Sequence, residues 1–149
     1  DGSDSVKDTA QLLEQRERIL KILEQELAHL PNADPRRIVI GGLSQGTALA
    51  IDVALWAPFV IGGVLALRGM ALSESLSDLK SRPAGASSLQ VLAYHGANDR
   101  QCPPEAARAS YRALVKHGVQ VKFIVDNSLG HACARGRQRL CARELSHIN

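Results

Sequence analysis

Between residues 5 and 30 apolar and charged positions recur with a helical period: Leu13, Leu20 and Leu27 are seven residues apart, with Leu23 and Leu30 between them. The spacing predicts one long amphipathic helix. Ser5 and Asp8 resemble a capping box at its start, and PNADP at 31–35 stops it. A helix of this kind packs on a sheet. A coiled-coil seam is the competing reading, and Arg16 interrupts it. The pattern then changes. RRIVIGG (36–42), FVIGGVLALRG (59–69), LQVLAYHG (89–96) and VKFIVDN (121–127) are continuous Val/Ile/Leu-rich runs without clean alternation. Such runs suit parallel strands buried on both faces. Helical stretches separate or follow them at 45–57, ended by Pro58, at 104–117, closed by Gly118, and at about 133–147. Strands alternating with helices predict a mostly parallel α/β sheet flanked by helices. Residues 73–88, SESLSDLKSRPAGASS, read as a polar surface excursion.

Composition narrows the class. The 149 residues read as a single domain, 1–149, without an internal repeat. Hydrophobic residues make up 45% and charged residues 22%, as in ordinary globular proteins, but aromatics only 3%, so the core is aliphatic. No apolar run reaches membrane-span length and no secretory start is present, so a cytoplasmic setting is expected. Cys102, Cys133 and Cys141 are odd in number and lack CxxC spacing, which fits reduced thiols rather than a disulfide framework or zinc site. The net charge of +3 gathers near the end, in Arg135, Arg137, Arg139 and Arg143. Without a recognisable module or stacking aromatics this reads as a solvated helix face, and no nucleic-acid partner is expected.

Candidate chemistry lies where the strands end, the usual place for function in open α/β sheets. GLSQG (42–46) sits between a strand and a helix, the context that gives G-x-S-x-G its meaning. A serine on so sharp a turn stands clear of the sheet, and both flanking glycines are expected to be needed for room. The backbone N–H of Gln45, at the helix start, faces the same place and suits an oxyanion. The pattern lacks the Lys-Ser/Thr pair of a phosphate loop. In YHGANDRQCP (94–103), Asp99 follows the strand, and taken alone it reads equally as a turn residue. In SLGHAC (128–133), His131 follows a strand and Gly130. Ser44, Asp99 and His131 stand in the chain order Ser, acid, His that this elbow brings with it. His29 and His95 precede the residues they would serve, while His117 and His147 lie at a helix end and near the terminus. Asp52 falls within a helix and Asp126 within a strand. Nucleophilic attack by Ser44, proton transfer by His131 and support by Asp99 would cleave an acyl bond with no metal and no cofactor.

Residues 36–134 resemble the acyl-protein thioesterase and carboxylesterase/lysophospholipase family of α/β-hydrolases. The motifs that carry the resemblance are RIVIGGLSQG, VIGGVLALRGMAL, VLAYHGANDRQCP and VKFIVDNSLGHAC. The resemblance implies an α/β-hydrolase fold, with Ser44, Asp99 and His131 catalytic and the Gln45 N–H in the oxyanion hole. It implies ester or thioester hydrolysis on lipidated proteins, lysolipids or small acyl esters. The family usually has Gly where Thr47 stands and Ser where Arg68 stands, and Arg68 is expected to favour anionic substrates. Family members also carry strands ahead of this point, including a His-Gly loop with a second oxyanion donor. The chain accordingly reads as the later part of the fold, a fragment of a longer enzyme. Strand 36–42 would then offer an apolar edge for a partner chain or self-association. The competing readings are a broad small-ester carboxylesterase and a non-catalytic hydrolase fragment that serves as a binding module.

Overall fold

The computed structural model describes residues 9–77 and 88–132. The elements run α1 (Thr9–His29), β1 (Val39–Leu43), α2 (Gln45–Trp56), β2 (Gly63–Leu67), α3 (Ser73–Ser77), β3 (Gln90–Gly96), α4 (Pro104–Lys116) and β4 (Gln120–Asp126). The four strands form one parallel sheet in the order β1-β2-β3-β4. Sequential order with parallel pairing requires each connection to cross over the sheet, and α2, α3 and α4 supply those crossings. Neighbouring helices touch, α1 on α2, α2 on α3 and α3 on α4, so they form a layer against the sheet. Val64, Ala66, Val91 and Ala93 of the central strands share one core cluster with Ile51, Leu55, Ala107 and Leu114 of the helices. The core is mainly aliphatic, with Tyr111 buried in it and Trp56, Phe59 and Phe123 packed against it.

β1, β2 and β3 are shorter than the apolar runs that predict them, and β4 has the length of its run, shifted by one residue. Arg36 and Arg37 belong to a single 3₁₀ turn opened by Pro35, whose entry Asp34 caps by accepting from the Arg36 N–H. The strand therefore starts at Val39. The polar excursion at 73–88 begins with a helical turn, α3, too short to show a period. The capping pair Ser5 and Asp8, the rest of that excursion and the final helix at 133–147, with its arginines, Cys133 and Cys141, lie outside the described residues.

The stripe that α1 buries keeps Leu20 and Leu27 of the seven-residue repeat, with Leu23 between them and Leu30 just beyond, but not Leu13. Leu13 is 45% exposed, whereas Leu12 and Leu23 are buried and Ile19, Leu20, Leu27 and Leu30 pack against the core. Arg16 lies on that buried stripe. Its guanidinium grips the fully buried Asp52 of α2 through Nε and Nη2 at 2.7 and 3.0 Å, and lies 4.5 Å from the Trp56 ring centre. Asp52 also accepts from the Ser75 hydroxyl of α3 at 2.5 Å. One buried carboxylate thus ties three helices, and the residue that interrupts the heptad pattern adds a polar tie to the apolar packing of α1 on the rest. Among the described residues no helix is long and apolar enough to cross a membrane.

Candidate active site

The elbow follows from the backbone at the end of β1. Ser44 has φ 54° and ψ −121°, a left-handed conformation that a residue with a side chain adopts only under constraint. Its N–H donates to the Leu67 carbonyl at 2.9 Å, extending the ladder with β2 by one residue, and its carbonyl accepts from the Thr47 N–H at 3.0 Å, which opens α2. A serine at this position ordinarily caps the helix with its hydroxyl. Here the side chain makes no capping bond.

Glycine is required on one side of the serine. A Cβ on Gly42 would lie 2.0 Å from the Gly46 carbonyl oxygen and 2.5 Å from the Thr47 nitrogen. The expectation that Gly46 is needed for the same reason is corrected: a Cβ there meets nothing within 4 Å among the described residues. The second tight approach is instead at Gly69, after β2, where a Cβ would come 2.4 Å from the Ser44 carbonyl oxygen. Thr47 then braces the elbow to β2. Its buried hydroxyl lies 2.7 Å from the Gly42 carbonyl oxygen and 2.9 Å from that of Leu67, and accepts from the Leu67 N–H at 3.1 Å.

The Ser44 hydroxyl meets His131 Nε2 at 2.8 Å, and His131 Nδ1 meets Asp99 Oδ2 at 2.9 Å. The carboxylate can only accept, so Nδ1 carries the proton and Nε2 is left to accept from the Ser44 hydroxyl. Asp99 side-chain exposure is 0% and that of His131 is 17%, so the pair is shielded at the carboxylate and open at the imidazole. Both readings of Asp99 hold at once. Oδ1 accepts from the Gln101 and Cys102 N–H groups at 3.0 and 2.8 Å as a turn residue does, while Oδ2 faces His131. The Leu129 carbonyl accepts from the Asn98 N–H at 2.9 Å, which docks the His131 loop on the Asp99 loop. As the first residue of α2, Gln45 has no intrahelical acceptor for its N–H. Ser44, Asp99, His131 and Gln45 are thus brought to one end of the sheet, from β1, β3, β4 and the start of α2.

Three neighbours act through contacts that the sequence does not show. His95 is buried, and its Nε2–H donates to the Cys102 carbonyl at 2.8 Å, closing the turn that Asp99 opens. Its Nε2 is 3.7 Å from Asp99 Oδ2, too far for a hydrogen bond. Tyr111 of α4 donates to the Gly69 carbonyl at 2.9 Å. Burial pushes its phenol well above the ordinary value, and nearby Cys102 adds to the rise, so the hydroxyl keeps its proton. Arg68 is buried rather than presented to a substrate: its Nη1 donates to the His131 backbone carbonyl at 3.0 Å.

Comparison with known proteins bears on the fold and the family. The chain is 34% identical over 125 residues to carboxylesterase SOBER1 of Arabidopsis thaliana, covering 84% of this chain and 54% of that protein. It is 33% identical over 128 residues to a probable carboxylesterase of Oryza sativa, covering 85% of this chain and 53% of the relative. An acyl-protein thioesterase 1 of Gibberella zeae is 30% identical over 99 residues, 66% of this chain and 42% of that protein. The chain therefore spans about half the length of the curated relatives it matches. The crystal structure of SOBER1 superposes with a TM-score of 0.75 at 29% identity, covering 94% of this chain and 65% of that one. A Bacillus cereus carboxylesterase structure, at 17% identity and a TM-score of 0.70, shares the fold, with 95% of this chain and 62% of that one covered. The phospholipase/carboxylesterase family model matches residues 2–141, nearly the whole sequence, and to that family the chain belongs.

Proposed function

We propose that this protein hydrolyses carboxylic esters or acyl thioesters through an acyl-enzyme on Ser44. The observation that carries the reading is the continuous line from the Ser44 hydroxyl through both ring nitrogens of His131 to the buried Asp99, at 2.8 and 2.9 Å. His131 Nε2 takes the hydroxyl proton as Oγ attacks the acyl carbonyl, and the fixed Asp99 carboxylate stabilises the imidazolium that forms. The carbonyl oxygen becomes an oxyanion beside the Gln45 N–H at the positive end of α2, a donor of a type worth on the order of 10²–10³ in rate. The imidazolium returns the proton to the departing alkoxide or thiolate. Water, activated by the same His131, then frees the acid. Relatives named carboxylesterase and acyl-protein thioesterase support ester and thioester as the bond cleaved. The substrate class proposed is an acyl chain on a protein, a lysolipid or a small alcohol.

Turnover of a matched series of nitrophenyl esters and acyl thioesters of stepped chain length tests this reading. The parent chain is expected to hydrolyse them. Ser44→Ala should lose on the order of 10⁴–10⁶ in kcat, and Asp99→Asn about 10⁴. A parent chain without turnover, or a Ser44→Ala variant that keeps it, overturns the proposal.

A further inference from the structure

Arg68 combines two features that a protein ordinarily avoids. Its backbone is left-handed, at φ 48°, in a residue that is neither glycine nor asparagine. Its cationic side chain is only 3% exposed. Neither is favourable by itself, since side chains crowd the backbone in this region and a guanidinium gives up hydration on burial. An outlier of this kind points to a task at the position.

The surroundings define the task. Residue 68 follows β2, the strand lying between the nucleophile strand β1 and the acid strand β3. Its N–H donates to the Tyr94 carbonyl of β3 at 2.9 Å, fixing the backbone, and its Nη1 reaches the His131 carbonyl at 3.0 Å. The next residue, Gly69, fits under the Ser44 carbonyl so closely that no Cβ could be added, and is held from behind by Tyr111. The 68–69 corner therefore touches the backbone of the serine with one residue and that of the histidine with the other. It spans the same gap as the Oγ–Nε2 hydrogen bond.

We infer that Arg68 is a positioning residue that sets the distance between Ser44 and His131 by clamping the histidine's backbone carbonyl. Asp99 holds the imidazole ring, and the guanidinium holds the peptide behind it. The left-handed turn at residue 68 directs the side chain toward the β4 side of the sheet end, where His131 lies. The inference rests on the proposed hydrolytic reading for its effect on rate, but the clamp itself can be observed without turnover.

Arg68→Met removes the donor at nearly constant length, Arg68→Asn suits the left-handed backbone but cannot reach, and Arg68→Lys keeps a donor. Two readouts are needed. The first is ester turnover: Met and Asn variants should lose about 10–100-fold in kcat with KM within about twofold, the pattern expected when a reacting group is misplaced by up to an ångström. The Lys variant should recover part of that loss. The second is the strongly deshielded proton NMR signal of His131 Nδ1–H, shared with Asp99. It should be sharp in the parent and Lys variant and broadened or lost in the Met and Asn variants. Should the parent chain prove inactive, the hydrolytic reading fails while the NMR comparison still decides the clamp. An unchanged imidazole proton in Met or Asn variants with intact unfolding transitions overturns the inference. So does a Lys variant no better than Met.

Discussion

Ser44 occupies a helix N-cap yet withholds its hydroxyl from the helix, so the oxygen is available to His131 while the first amides of α2 stay available at the same spot. Gly42 and Gly69 permit this, by letting the Gly46 and Ser44 carbonyls come closer than any side chain allows. The two glycines of the G-x-S-x-G pattern should therefore behave differently. Gly42→Ala should cost about 3 kcal/mol, the upper end of overpacking penalties. Gly46→Ala should be neutral or stabilise by about 0.5–1 kcal/mol, because it replaces a poor helix former in open space. Urea unfolding of the pair checks this, and equal destabilisation would contradict the account. The motif made Ser44, Asp99 and His131 legible through residue type and chain order. It could not separate the two glycines, nor point to Gly69, which approaches Ser44 from another strand end, nor to His95, which bonds the Cys102 carbonyl across a turn.

At the scale of elements, the strands were readable as unbroken apolar runs, but burial on both faces fits only β2 and β3. β1 is an exposed edge among the described residues, and β4 is at most half-buried. The strand ends were less readable, since Pro35 turns Arg36 and Arg37 away before pairing begins. The long helix was readable as a helix and in most of its buried face: Leu20, Leu23, Leu27 and Leu30 of the leucine pattern meet the core, while Leu13 does not. Leu12 and Ile19 join the stripe, with Arg16 among them. Asp52, 36 residues away, and the Trp56 ring explain an arginine there. Its removal should be severe. Arg16→Met leaves a fully buried carboxylate without its cation and should cost about 3–5 kcal/mol. Adding Asp52→Leu should restore most of that, because the paired apolar replacement removes the stranded charge. If chemical denaturation finds the double variant as unstable as Arg16→Met, the buried pair does not tie α1 to α2.

For the molecule as a whole, β1, β3 and β4 each deliver one member of the Ser-His-Asp line at the same end of the sheet, and β2, between them, supplies Thr47's acceptor and the Arg68–Gly69 corner. The parallel, sequential topology makes chain order and spatial order agree, which is why three separate loops could be matched from sequence alone. β1 forms the sheet edge among the described residues, with Val39 65% and Leu43 50% exposed, an apolar rim next to the nucleophile. Covalent labelling tests the central claim most directly, because a fluorophosphonate reacts with a serine only when base and nucleophile are assembled. Intact mass of the 16.0 kDa chain should rise by one adduct in the parent and by none in Ser44→Ala or His131→Ala. A parent chain that stays unmodified, or an adduct that persists in Ser44→Ala, would contradict the assignment of Ser44 as an activated nucleophile.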